Sequence, residues 1–198
     1  GSPERGKGDN VFKRKPVETN NQSGEVYAVE TTNLTKIFQR RWIAANSISF
    51  KIPKGSVFGL VGPNGAGKST TLRLILGLLH PTAGEVKVFG ETMSLSTGHL
   101  RRRIGYLPQG EHYPKNLTPI NYLELVGKLR GMPRKECHRR ISSLLHAVDL
   151  LGAASTRIGN LSAGMTTRMA IAASMVSDPD LLLWDEPTAG LDPTGRKY

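Results

Sequence analysis

The chain has 198 residues and a net charge of +11, with 38% hydrophobic, 22% charged and 6% aromatic residues. That is room for one domain, or one and a small part, with somewhat few apolar residues but not a disordered composition. The charge admits nucleic acid, an anionic membrane surface or a nucleotide as partner and selects none; no apolar run approaches the ~20 residues of a membrane span; and the single cysteine, Cys137, excludes an internal disulfide and fits a reducing compartment.

Gly1-Ser2 reads as a cloning scar, and the Pro-, Gly-, Asn- and Lys-rich stretch to about residue 24 as a disordered tail. Val26–Glu30 reads as a strand and Leu34–Phe38 as a second short extended segment. Ala44–Ile52 alternates through Ile48, Phe50 and Ile52 with Ser47, Ser49 and Lys51 between them, the pattern of a half-buried strand. Val57–Val61 is a short apolar strand, and the helix from Gly67 ends near Gly77. Gly84–Gly90 is another alternating strand, and residues 100–103 form a basic turn. Ile104–Gln109 is a strand cut off by Pro108.

Thr118-Pro119 offers an N-cap with proline at the first helical position; Ile120, Leu123, Val126 and Leu129 then share a face. A second helix carries Ile141, Leu144, Leu145 and Val148 at helical spacing. A third helical pattern runs from Thr166 to Val176, and Leu181–Trp184 reads as a buried strand ending in Asp185-Glu186. Many short strands around one helix predict a small antiparallel sheet beside a parallel core. Cys137, a lone cysteine with no paired base, reads as a small side chain without a chemical role.

Between the strand at 57–61 and the helix stands Gly62-Pro63-Asn64-Gly65-Ala66-Gly67-Lys68-Ser69-Thr70, of the form G-x-x-x-x-G-K-[ST]. Strand, glycine loop and helix is the context in which this pattern carries meaning. Glycines let successive N–H groups converge on one anion, and the helix N-terminus adds unpaired donors and a positive dipole end. Lys68 offers a point charge to the outer phosphates of a nucleotide, and Ser69 a hydroxyl to Mg2+.

Asp185 and Glu186 fall at the carboxyl end of an apolar strand, where α/β sheets bind ligands. Asp185 is suited to hold Mg2+ through water. Successive strand residues face opposite ways and Pro187 keeps Glu186 extended, so Glu186 addresses something other than the metal. It is placed to orient an attacking water or take its proton.

Gly62–Thr70, Gln109, Leu161–Met165, Leu181–Glu186 and Ala189–Asp192 stand in the order and rough spacing of an ATP-binding-cassette (ABC) ATPase domain, which the chain resembles from about residue 26 onward. The resemblance implies an α/β fold: a P-loop NTPase (RecA-like), mostly parallel core, with a small antiparallel β subdomain and an inserted helical subdomain. It implies a tail at 1–25, a nucleotide-binding core at 26–109 and 161–198, and the helical subdomain at 110–160. It implies ATP and Mg2+ as ligands. Catalytic roles fall to Glu186, Gln109 and Lys68. Nucleotide contacts fall to Phe38, Gly62, Asn64, Gly65, Gly67, Lys68, Ser69, Thr70, Ser162, Gly164 and Asp192, with Phe38 stacking on adenine and Trp42 its nearby substitute. Metal contacts fall to Ser69, Gln109 and Asp185. Ser162 and Gly164 belong to a signature that meets the nucleotide held by an opposite subunit, and Asp192 to a loop crossing that interface.

The implied partners are a second ABC ATPase domain and a transmembrane transporter subunit, with the chain on the inner face of a membrane. The Gly164-Met165 ending resembles exporter-type subunits. The alternative is a soluble ABC-type ATPase acting on nucleic acid or ribosomes, or a nucleotide-binding fragment without turnover. Ala163 and Met165 replace a glycine and a glutamine of the family signature. A left-handed backbone at Ala163 would cost about 1–2 kcal/mol. The family's switch histidine follows the aspartate loop; His80, His99, His112, His138 and His146 all precede the signature. This leads to the expectation of a C-terminally truncated chain lacking the strand beside the phosphate-loop strand, compromised in hydrolysis.

Overall fold

The computed structural model describes residues 27–39, 41–60, 65, 67–110 and 113–185. The apolar alternation of the first half builds a four-stranded antiparallel sheet in the order β2-β1-β3-β4. Its strands are β1 (Tyr27–Phe38), β2 (Trp42–Pro53), β3 (Ala83–Val88) and β4 (Glu91–Thr92). The two extended segments expected at 26–30 and 34–38 are one strand. Asn33, at φ 47°, lies where the ladder changes register between them, so a single strand carries two separate patterns of burial.

Behind this sheet, α1 (Lys68–Ile75) buries Leu72, Leu74 and Ile75. A second, parallel sheet pairs β5 (Ile104–Leu107) with β6 (Leu181–Trp184) in the register Gly105↔Leu182 and Leu107↔Trp184. The fold is therefore α/β, with an antiparallel and a parallel sheet. One apolar cluster joins Val29, Leu34, Leu74, Ile75, Val88, Ile104 and Leu183 across both. Arg103 ties the sheets. Its guanidinium lies 3.9 Å from the Phe89 ring centroid, its Nε donates to Asp180 Oδ2 at 2.6 Å, and its carbonyl accepts from the N–H groups of Asp180 and Leu181.

Three expectations are corrected. Residues 100–103 are not a basic turn; α2 (Gly98–Arg102) is a short helix anchored by the buried Leu100. The strand expected before the glycine loop is not formed over 57–60, where Val57 is fully exposed. A strand needs a hydrogen-bonded neighbour, and no described strand pairs with this segment; Phe58 instead stacks on Phe50 of β2 at 5.2 Å. Finally, Leu181–Trp184 is not buried throughout. Leu183 is buried, but Leu182 and Trp184 alternate onto the other face, which α5 covers only in part, and stay 39% and 38% exposed.

Most of residues 119–175 is helical. In α3 (Pro119–Leu129), Thr118 Oγ1 accepts from Asn121 N and Pro119 opens the helix, as expected. In α4 (Arg134–Ala147), Ile141, Leu144 and Leu145 are buried. These pack with α5 (Ala163–Met175) in a second apolar cluster running from Leu123 to Val176. Leu129 lies outside it at 78% exposure. Cys137 is buried in this cluster, and burial, then Glu124 and Glu136, push its thiol above the ordinary range, which keeps it protonated and inert.

Arg140 of α4 closes the C-terminus of α5. Its Nε donates to Val176 O and its Nη2 to Met175 O, both at 2.8 Å, with Asp178 Oδ1 at 3.3 Å. Arg140→Ala is expected to leave these carbonyls without their partner. The cost is about 1.5 kcal/mol, read as a fall of roughly 3–6 °C in thermal melting followed by circular dichroism.

Candidate functional site

Gly67 caps α1 from outside the helix, at φ 86° and ψ 10°. That left-handed conformation turns the chain so that Lys68, Ser69 and Thr70 begin the helix with their N–H groups directed back at the loop. No side chain caps this end, and no acidic residue occupies the first turn. The N-terminus is thus left for an external anion. Gly65 is also left-handed, at φ 84°. A β-carbon on Gly67 would overlap the carbonyl oxygen of Ala44 in β2, so the loop lies directly against that strand.

Gly65, Gly67, Lys68, Ser69 and Thr70 line a cleft of about 270 Å³ together with Trp42, Ala44 and Gln109. Three parts of the chain meet there. The loop and α1 form the floor, β2 contributes one wall, and the segment after β5 brings Gln109. Gln109 reaches the cleft because β5 ends at Leu107 and Pro108 stops the strand. Asp185 follows β6 directly, and its N–H donates to Leu107 O at 2.8 Å. The parallel register therefore sends Gln109 and Asp185 off the same carboxyl end of neighbouring strands.

Asp185 is 4% exposed, and no ion pair to it is formed among the described residues. A buried carboxylate without a counter-charge is costly. Ser69 and Gln109 line the cleft and Asp185 is not among its lining residues; by side-chain type all three offer oxygen, the donor chemistry of a hard divalent cation such as Mg2+.

Ser162 and Gly164 do not line this cleft. Ser162 is the N-cap of α5, its Oγ accepting from Met165 N at 3.2 Å, and it is exposed. Ala163 is the first residue of the right-handed helix, so its methyl group carries no left-handed strain. Gly164 has open space where a β-carbon would stand and no positive φ, so the fold itself makes no demand for glycine there.

Phe38 is not among the cleft-lining residues, whereas Trp42 is. Ala44 is a lining residue that sequence reading missed. The signal was available in the Ala44-Ala45 pair, where two successive buried residues interrupt the alternation of β2. Gly62, Asn64, Glu186 and Asp192 lie outside the described residues.

A family model described as ABC transporter matches residues 45–189. The Nod factor export ATP-binding protein I of Burkholderia lata is 39% identical over 171 residues, 86% of this chain and 56% of that protein. Its counterpart in Rhizobium sp. (strain N33) is 38% identical over 169 residues, covering 85% and 55%. The chain thus spans about half the length of the curated relatives it matches. Among solved structures, an ATP binding subunit of an ABC transporter superposes with a TM-score of 0.74 at 30% identity, over 84% of this chain and 69% of that one. A nucleotide-free ATP-binding cassette from an ABC transporter superposes equally well, at 0.74, but at 23% identity, which speaks to the fold alone. With the match running from β2 past the carboxylate that follows β6, the chain belongs to the ABC transporter family.

Proposed function

We propose that this chain is an ATP-binding and ATP-hydrolysing cassette that powers transport across a membrane, working as one of a pair. The observation that carries the reading is the cleft in which the uncapped N-terminus of α1, Lys68, Ser69, Thr70 and Gln109 come together beside β2. The family membership supports it, and the export ATP-binding relatives support the exporter-type reading.

In this reading the loop from Gly62 to Thr70 holds the triphosphate of ATP through its N–H groups, and Lys68 offsets the outer negative charge. Ser69, Gln109 and Asp185 hold Mg2+, which, when bound, neutralises charge on the phosphates and orients them for attack. Glu186 positions the attacking water and accepts its proton.

The signature of a second cassette completes the site. Ser162 and Gly164 open α5 on exposed backbone, and the glycine that the fold does not require leaves room for a facing phosphate. Asp192 belongs to the same interface. The division into a core at 26–109 and 161–198 and a helical subdomain at 110–160 stands as part of this proposal. In it α5 bridges the two, sharing the apolar cluster of α3 and α4 while resting on β5. The helical subdomain receives the transmembrane partner, which places the chain at the inner face of a membrane, and the partner selects the cargo.

The test is calorimetric titration of the chain with MgATP. Binding is expected, and Lys68→Ala is expected to weaken it about ten-fold through loss of one charge-assisted contact. An unchanged affinity in that variant, or no binding by the unsubstituted chain, overturns the reading.

A further inference from the structure

α3 and α4 form an antiparallel hairpin. His138 Nε2 stands 3.0 Å from Glu124 Oε1, and a β-carbon on Gly127 would overlap Cys137 Sγ. The turn between the helices is tight, with Gly131 N donating to Lys128 O and Met132 N to Gly127 O. Both helices bury their apolar sides in one cluster with α5, so their outer sides make one surface. At its turn end stand Lys128, Arg134, Lys135 and Arg139, all exposed. Among the described residues none of the four enters an ion pair. The arginines beside them are committed elsewhere: Arg130 donates to Arg101 O, and Arg140 to Met175 O and Val176 O. Of the two carboxylates in α3 and α4, Glu124 pairs with His138, which leaves Glu136 against four cations.

Two leucines stand among these charges. Leu129, the last residue of α3, is 78% exposed, and Leu125, one turn earlier, is 42% exposed. Aliphatic side chains held in water beside unpaired cations suit the boundary between headgroups and acyl chains of an anionic bilayer. Single-stranded nucleic acid is instead gripped by cations interleaved with aromatic rings. The one tyrosine of these helices, Tyr122, is half-buried and packs edge-on against Tyr113 at 5.3 Å. We infer that the turn end of this hairpin is a docking surface for an anionic lipid bilayer. The four cations meet the headgroups, and Leu125 and Leu129 enter the acyl boundary. The contact is made by this chain itself, apart from any transmembrane partner, and it requires no nucleotide.

The experiment is co-sedimentation of the nucleotide-free chain with vesicles of phosphatidylcholine alone, and of about three parts phosphatidylcholine to one part phosphatidylserine. Binding is expected to the anionic vesicles only, and to fall away at about 1 M salt, where the Debye length is near 3 Å. Lys135→Ala with Arg139→Ala is expected to weaken it about thirty-fold through loss of two surface charges. Leu129→Ser, which leaves the charge unchanged, is expected to weaken it about ten-fold. The matched control is Lys51→Ala with Lys87→Ala, which removes the same net charge from β2 and β3 of the antiparallel sheet. It is expected to bind as the unsubstituted chain does. All the substituted side chains are exposed or half-buried, and circular dichroism establishes that each variant is folded. An equal loss in the control overturns the proposal, because net charge and not this surface is then responsible. Unchanged binding in the Lys135 and Arg139 variant overturns it too. So does an unchanged Leu129→Ser, which reduces the contact to charge alone. Retention of the chain on single-stranded RNA without binding to anionic vesicles assigns the surface to nucleic acid and overturns the lipid assignment. None of these outcomes bears on the nucleotide reading of the cleft, which calorimetry with MgATP tests separately.

Discussion

Gly67→Ala is expected to weaken MgATP binding about a hundred-fold, a larger loss than that from removing the Lys68 charge. Two costs add at this residue. The backbone stands at φ 86°, where an alanine methyl costs about 1–2 kcal/mol. The added β-carbon would also overlap the carbonyl oxygen of Ala44. That oxygen belongs to the backbone of β2, whose next residue pairs with Lys36 of β1, so it cannot swing aside as a side-chain end could. Overpacking of this kind costs about 1–3 kcal/mol, and a sum near 3 kcal/mol corresponds to about a hundred-fold in affinity.

The relief available is for the loop and the start of α1 to move away from β2. That movement separates Lys68, Ser69 and Thr70 from the Trp42 and Ala44 wall, and the cleft that binds the ligand no longer exists. Gly65→Ala provides the contrast. Its φ of 84° imposes the same strain, but no atom of the other described residues lies within 4 Å of the added carbon, so its loss should be near ten-fold. Calorimetric affinities for the two variants, with circular dichroism to establish folding, decide the matter. If Gly67→Ala binds within about three-fold of the unsubstituted chain, the close approach of loop and strand is not what shapes the site.

What could be read from residue order divides along a physical line. Period-two alternation between Ile48 and Ile52 reports burial on one face, and β2 shows that pattern. The Thr118-Pro119 cap is a local hydrogen-bonding signal, and α3 starts there. The glycine loop is legible because its function requires specific residues at fixed spacing. What escaped reading depends on partners distant in sequence. Whether Val57–Leu60 joins a ladder is decided by a neighbouring strand, not by its own apolar residues. Leu182 and Trp184 are as apolar as a buried strand requires, and only the packing leaves them on a face that α5 covers in part. Ala44 in the cleft follows from the relation of β2 to the loop, which no periodicity encodes. For Ala163 the sequence posed the right question, and the backbone at the start of α5 answers it.

Gly105→Ala is expected to destabilise the fold by about 3 kcal/mol, a large loss for a single added methyl group. Gly105 is the second residue of β5, and a β-carbon there would overlap the carbonyl oxygen of Ser174 in α5. It would also stand 2.7 Å from Leu182 Cδ2 and 3.0 Å from Pro179 Cγ. Backbone strain plays no part, because the residue has no positive φ. The cost is that of pushing a helix off a sheet. α5 cannot yield cheaply, since Arg140 holds its C-terminal carbonyls and Arg168 donates to Asp149 O at 2.9 Å from its middle. Ser174 Oγ in turn accepts from Trp184 Nε1 at 3.2 Å, so displacing α5 also pulls on the residue that precedes Asp185. At the upper end of the range for overpacking, the melting midpoint should fall by about 6–12 °C. Gly164→Ala is the matched control: it adds the same methyl to α5 in open space and favours the helix, so it should melt at or above the unsubstituted chain. A fall of less than about 2 °C for Gly105→Ala would mean that α5 and the parallel sheet separate freely. The helix carrying Ser162 and Gly164 would then be set independently of the strand carrying Asp185. A full fall ties the two halves of the proposed shared site into one rigid unit through a single missing side chain.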